Sequence, residues 1–149
     1  MSLKNQIAID IKKAMIAKEK QTLTALRAIK SAILLGETEK GSEGELSEVQ
    51  EVALLMKAAK QRKDSAGIYK EQGREDLMET ELLEVAVIEA YLPKQISDNE
   101  LEQKLKGIIA EIAAKSMGDM GKVMGKATAQ LQGQAEGKRI STMVKNLLA

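Results

Sequence analysis

The chain has 149 residues, and its 23 Lys and Arg nearly balance its 22 Asp and Glu. It has no Cys and no His, which excludes disulfides, thiolate chemistry and the Cys/His zinc frameworks. Phe and Trp are absent too, so the core must come from Leu, Ile, Val, Ala and eight Met, the aliphatic repertoire of helix bundles.

Taken in chain order, the apolar residues recur with helical period, and no run alternates with strand period. Leu3, Ile7, Ile11 and Met15 stand four apart, with Ala14 beside them, and predict a first helix. Leu23, Leu26, Ile29 and Ile33 predict a second, with Thr22 as its cap, and Gly36 to Gly44 reads as a polar loop. Ser47 and Gln50 form a capping box for a third helix with Val49, Val52, Leu55, Met56 and Ala59 on its apolar face. That helix is expected to run to about Gln72, where Gly73 breaks it. A fourth carries Met78, Leu82, Val85, Ile88 and Leu92 and stops before Pro93, the one proline.

Ser97-Asp98-Asn99-Glu100 predicts the next helix start, with Leu101, Leu105, Ile108 and Ile112 as its stripe. Ile140, Val144, Leu147 and Leu148 form the last stripe. The expected fold is all-α: an N-terminal bundle of about four helices over 1–93, then a smaller domain of two to three short helices over 94–149.

Charge is uneven along this frame. Residues 1–35 hold seven Lys/Arg against two acids, residues 36–96 eight against fourteen, and residues 97–149 eight against six. An anionic partner should therefore meet an end of the chain or a local basic patch. No apolar run reaches the roughly 18–20 residues that span a membrane, and the first residues lack the pattern of a secretory signal. Ile7 to Lys20 is basic and amphipathic, but Asp10 and Glu19 mark an ordinary helix rather than a mitochondrial presequence. A soluble cytoplasmic protein is expected, which lack of Cys also fits.

Gly118-Asp119-Met120-Gly121-Lys122-Val123-Met124-Gly125-Lys126 is the leading candidate for function. It is not a phosphate-binding P-loop: three residues, not four, separate Gly121 from Gly125, Ala127 follows Lys126, and no strand precedes. On a helix the two glycines share one face and admit a second backbone, either a neighbouring helix or a nucleic-acid chain. Asp119 would cap that helix, and Lys122 and Lys126 flank the bare stripe. The candidate RNA-binding residues are thus Gly121, Lys122, Gly125 and Lys126, with Lys138 and Arg139 further on. A secondary basic patch comprises Lys57, Lys60, Arg62 and Lys63, whose plain alternative is a solvated helix face. The acids of 75–89 read as a solvated face pairing with basic helices. No Gly-x-Ser-x-Gly elbow is present, and no catalytic residue, metal site or cofactor site is assigned.

Four blocks together resemble one family. They are Lys60-Gln61-Arg62-Lys63-Asp64-Ser65 with Tyr69; Gly73-Arg74-Glu75-Asp76-Leu77; Tyr91-Leu92-Pro93-Lys94-Gln95; and Asp119-Met120-Gly121-Lys122-Val123-Met124-Gly125 with Gly133-Gln134-Ala135-Glu136-Gly137. The chain resembles the GatB/YqeY family, in particular its free-standing YqeY proteins, with Glu136 where Asp is expected. The resemblance implies a helical bundle followed by a small helical domain similar to the tail of the B subunit of the tRNA-dependent amidotransferase. In that enzyme the tail helps engage tRNA, and the amidase and kinase chemistry lies elsewhere. The implied function is an accessory protein for tRNA or other structured RNA. Alternatives are a component of carbon–nitrogen ligase activity, with glutamine as amido-N-donor, in a larger amidotransferase assembly, or an adaptor between proteins. Partners would be RNA, amidotransferase proteins or translation-related proteins, and no membrane.

Overall fold

The computed structural model describes residues 2–39 and 44–149. Among them are seven α-helices and no strand: α1 Leu3–Ala17, α2 Lys20–Thr38, α3 Glu48–Glu71, α4 Glu75–Glu89, α5 Asp98–Glu111, α6 Met120–Gln130 and α7 Gly137–Leu148. A 3₁₀ turn, Met117–Asp119, leads into α6. The chain divides into two compact units, Met1–Leu92 and Pro93–Ala149.

In the first unit Ile7, Ala14, Leu26, Ile29, Ile33, Leu55, Ala59 and Ile88 form one core, drawn from all four helices. The stripes predicted for it need three corrections: Met15, Val49 and Leu82 face solvent, at 53%, 59% and 45% exposure. A four-residue spacing drifts about 40° per step round a helix of 3.6 residues per turn, so by Met15 the inward place has passed to Ala14. α2 begins at Lys20 after Glu19, so Thr22 lies inside its first turn and does not cap it. It also runs through Gly36 to Thr38, overturning the predicted start of the polar loop; residues 40–43 of that loop lie outside the described residues. Leu46 packs onto Gly36: a Cβ there would stand 3.3 Å from the Leu46 Cδ1.

Local chemistry sets the other ends. Ser47 and Gln50 close a reciprocal capping box at the head of α3. Gly73, at φ +72°, ends that helix. The Arg74 N–H reaches the Tyr69 carbonyl at 2.8 Å and the Gly73 N–H reaches that of Lys70 at 3.1 Å, a Schellman closure. Tyr91, just past α4, donates its hydroxyl to the Asp10 carboxylate on α1 at 2.5 Å. That bond holds the Asp10 carboxyl below its ordinary range. Burial, with Asp10 opposite, pushes the Tyr91 hydroxyl well above the usual tyrosine value.

The second unit has its own core of Leu101, Leu105, Ile108, Val123, Ala127, Leu131, Ile140, Val144 and Leu148, with Ile96 and Ala135. Ser97 accepts the Glu100 N–H at 3.2 Å and caps α5. The segment before it is tied to the α6–α7 connection: Gln95 donates to the Gly133 carbonyl at 2.7 Å, and the Ile96 N–H to that of Gln134 at 2.9 Å. Gly133 makes that turn at φ +79°, in the left-handed region that glycine favours.

Candidate nucleic-acid interface

α6 is two-sided. Val123 and Ala127 are fully buried in the core of the second unit, and Met120 and Met124 pack beside them. On the opposite side Gly121, Lys122 and Gly125 are exposed. A Cβ built on Gly121 or Gly125 would meet nothing within 4 Å. Among the described residues of the second unit, no helix packs on that stripe. Gly67 and Gly107 are equally open, so bareness alone is not distinctive. What sets Gly121 and Gly125 apart is their i,i+4 alignment next to a cation.

The lead-in to α6 differs from expectation. Asp119 does not cap the helix with its side chain. Its carboxylate turns back to accept the Lys115 N–H at 2.9 Å and the Ser116 N–H at 3.4 Å. Those backbone donors, helped by the charges of Lys122 and Lys115, hold its carboxyl below the ordinary range. The reason lies in Ser116, which forms a capping box with Asp119 around the 3₁₀ turn and claims the carboxylate before α6 begins.

The four candidate cations of this unit fall into two kinds. Lys122 is exposed and Lys138 is exposed, and neither forms an ion pair among the described residues. Lys126 is ion-paired with Glu111. Arg139 is engaged by Asp98, at 2.8 and 3.0 Å, and donates to the Ile96 carbonyl at 2.6 Å. Glu111 and Asp98 are the residues missed by sequence reasoning; Asp98 is 41 positions from its partner, and no local pattern announces such a pair. The groove at Lys138 and Arg139 is lined by residues of α7 with Asp98 and Glu136, and no α6 side chain enters it. Lys138 and Arg139 thus belong to a different spot from the glycine stripe.

The secondary basic patch divides similarly. Arg62 on α3 pairs with Glu84 on α4 at 3.0 Å and also donates to the Ala58 carbonyl at 3.1 Å. Lys63 pairs with Glu89 at 2.8 Å. Lys57 and Lys60 are exposed. Half of that patch therefore joins α3 to α4. Among the described residues no group of three or more Asp or Glu is placed to hold a metal ion. No described helix is long and apolar enough to cross a membrane.

The fold and this surface define a class: an all-helical protein of two small units, presenting a bare, cation-flanked helix face. Residues 4–148 match the family described as Yqey-like protein, and the chain belongs to that family. It is 39% identical over 117 residues to the altered inheritance of mitochondria protein 41 of Clavispora lusitaniae, covering 76% of this chain and 66% of that one. A Saccharomyces cerevisiae protein of the same name is 33% identical over 110 residues, covering 72% and 58%. The chain thus spans less than two thirds of the length of these relatives. Both are named as mitochondrial, which overturns the cytoplasmic placement expected from the sequence. That expectation rested on reading Ile7 to Lys20 as an ordinary helix rather than a presequence, and on lack of Cys and of a membrane-spanning run, which does not separate the two compartments.

The amidotransferase relation is present as well. The E subunit of the glutamyl-tRNA(Gln) amidotransferase of Thermococcus gammatolerans is 41% identical over 54 residues, 34% of this chain and 9% of that protein. This relative is named as an E subunit, where the sequence resemblance pointed to the B subunit.

Proposed function

We propose that this protein is an accessory RNA-binding protein with no chemistry of its own, and that its second unit meets tRNA or another structured RNA through the outer face of α6. The observation that carries this is the open space over Gly121 and Gly125 beside Lys122, which is exposed and forms no ion pair among the described residues. A glycine in a helix interior costs up to about 1 kcal/mol, and no packing among the described residues of the second unit offsets that cost at Gly125. A sugar-phosphate backbone can approach a helix at such a stripe, and Lys122 supplies charge at the same place. With only Tyr69 and Tyr91 for stacking, both in the first unit, contact is to backbone and shape rather than to splayed bases. Similarity to part of an enzyme named for glutamyl-tRNA(Gln) supports tRNA as the class of RNA.

The test is binding of unfractionated tRNA over a salt series. Lys122→Ala should weaken binding and make the salt dependence shallower by up to about 0.7–0.9 log units, the value for one lost phosphate contact on the single-strand and duplex DNA scales. Lys126→Ala should do less, because Glu111 already neutralises that side chain. Unchanged affinity and slope in the Lys122 variant would remove this face from the account.

A second reading rests on the same amidotransferase match: the protein is a component of a larger glutamine-dependent carbon–nitrogen ligase assembly. Added to a reconstituted amidotransferase, it should then raise transamidation without turnover when alone. The adaptor reading is weakened because Glu84 and Glu89 of α4 are already paired with α3.

A further inference from the structure

The first unit holds a second concentration of charge that none of the sequence motifs points to. Residues 1–35 carry seven Lys/Arg and two acids. Asp10 is occupied by the Tyr91 hydroxyl and the Gln6 amide, and Glu19 sits in the short turn between α1 and α2. Of the cations, Lys4 pairs with Glu37 at 3.0 Å, and Lys13 stands 4.0 Å from Asp10. The other five, Lys12, Lys18, Lys20, Arg27 and Lys30, are exposed and form no ion pair among the described residues. The unit does not lack acids: 36–96 holds fourteen. α4 delivers its carboxylates to Arg62 and Lys63 on α3, and leaves these five cations alone. The charge is segregated by helix.

We propose that the outer face of α1 and α2 is a second contact surface for RNA phosphates, an inference that rests on the RNA-binding reading above. The buried line of α2 is Ala25, Leu26, Ile29 and Ile33. On the opposite side Lys20 and Arg27 stand seven apart, two helical turns, with Lys30 next to them. From Lys20 to Lys30 the helix rises about 15 Å at 1.5 Å per residue. That is the axial length of roughly four to five steps of a duplex at 3.4 Å per strand. Arg27 brings a planar fork suited to two phosphate oxygens, and the lysines add point charges.

The alternative occupant of a basic helical face is an anionic lipid surface, which needs a continuous apolar stripe to insert. Here the apolar stripes of α1 and α2 are already buried in the unit's core. The exposed apolar residues are Ile9, Met15 and Ile16 on α1 and Leu34 and Leu35 at the end of α2, and Ile9 and Ile16 have Lys12 and Lys13 between them. The face offers charge along its length without a segregated apolar side, which fits a hydrated polyanion.

The experiment uses the full chain with unfractionated tRNA, and vesicles containing phosphatidylserine as the second probe. The expected result is that Lys20→Ala/Arg27→Ala/Lys30→Ala weakens tRNA binding. It should lower the log–log salt slope by about 2–3, three contacts at about 0.7–0.9 each, with an unchanged unfolding midpoint. Lys122→Ala is run in parallel. If that variant loses affinity while the triple variant binds tRNA like the parent, this inference is wrong and the α6 reading stands. If the triple variant loses affinity and the Lys122 variant does not, this surface stands without the α6 one. Absence of tRNA binding by the parent chain at low salt overturns both. Vesicle binding that is lost in the triple variant, with tRNA binding retained, assigns the face to lipid and overturns the inference.

Discussion

Gly36, in the last turn of α2, and the Gly121–Gly125 pair of α6 are helical glycines that do opposite things. In the first unit Gly36 lies under Leu46, so close that a Cβ would stand 3.3 Å from the leucine's tip, and the absence of a side chain lets α2 meet the start of α3. In the second unit nothing lies within 4 Å of where a Cβ would be on Gly121 or Gly125. One glycine is explained by packing inside the chain, and the pair is not. The lysines repeat the contrast. Half of the α3 patch is consumed by α4 carboxylates, whereas Lys122 on α6 forms no ion pair among the described residues. A basic or glycine-rich motif read from sequence acquires a meaning only when its neighbours are known.

The comparison can be broken at several points. The largest expected effect is at Arg62. Its side chain and that of Glu84 are both less than a fifth exposed, and the guanidinium also serves the Ala58 carbonyl. Arg62→Ala should cost about 1.5–3 kcal/mol, the range for hydrogen bonds to charged groups, in chemical unfolding. It should leave tRNA affinity unchanged; a loss of affinity without a loss of stability would return Arg62 to the binding surface.

Tyr91→Phe comes next, at about 1–2 kcal/mol, because it strands the Asp10 carboxylate without its strongest donor. This effect has a pH signature. The folded-state pKa of Asp10 is depressed, so its contribution is present above the unfolded value near 3.8 and is lost as pH falls through the lower folded value. The stabilities of Tyr91→Phe and the parent should converge as pH drops below about 3.8, measured by urea unfolding at a series of pH values. A constant gap down to acid pH would show that the ring position, not the hydrogen bond, is responsible. Smaller again is Ala113, which holds φ +54° just past α5, where a Cβ is strained. Ala113→Gly should raise stability by about 0.5–1 kcal/mol. A lower midpoint for that variant would mean that the turn carries no such strain.

Much of the fold was legible because its signals are local. Ser47 with Gln50, Ser97 and Gly73 act within a few residues of themselves, and each does in the structure what its chemistry requires, whereas α4 ends at Glu89, short of the Leu92 expected to close it before Pro93. The start of the polar loop is not legible, because α2 runs on through Gly36 to Thr38 and the side chain that packs on Gly36, Leu46, is ten positions away. The surface is harder still. Arg62 and Glu84 are 22 positions apart and Asp98 and Arg139 are 41 apart, so sequence gives no way to tell an occupied cation from a free one. Asp119 looks from sequence like the cap of α6, because nothing marks Ser116, whose box claims it, as more than a surface serine. For Gly121 and Gly125 the sequence supplies the face but not what stands opposite it.

The role of that face is decided by thermal unfolding and tRNA titration of Gly121→Ala/Gly125→Ala against the parent and against Gly36→Ala. Neither α6 glycine has a positive φ or a neighbour to clash with. Alanine should therefore stabilise the fold by about 0.4–1 kcal/mol at Gly125 and by less at Gly121, in the first turn of α6. Gly36→Ala should gain less, because Leu46 must give way. The α6 double variant should unfold at a higher temperature and bind tRNA more weakly than the parent. A variant that is more stable and binds tRNA with unchanged affinity would mean that this face does not meet RNA.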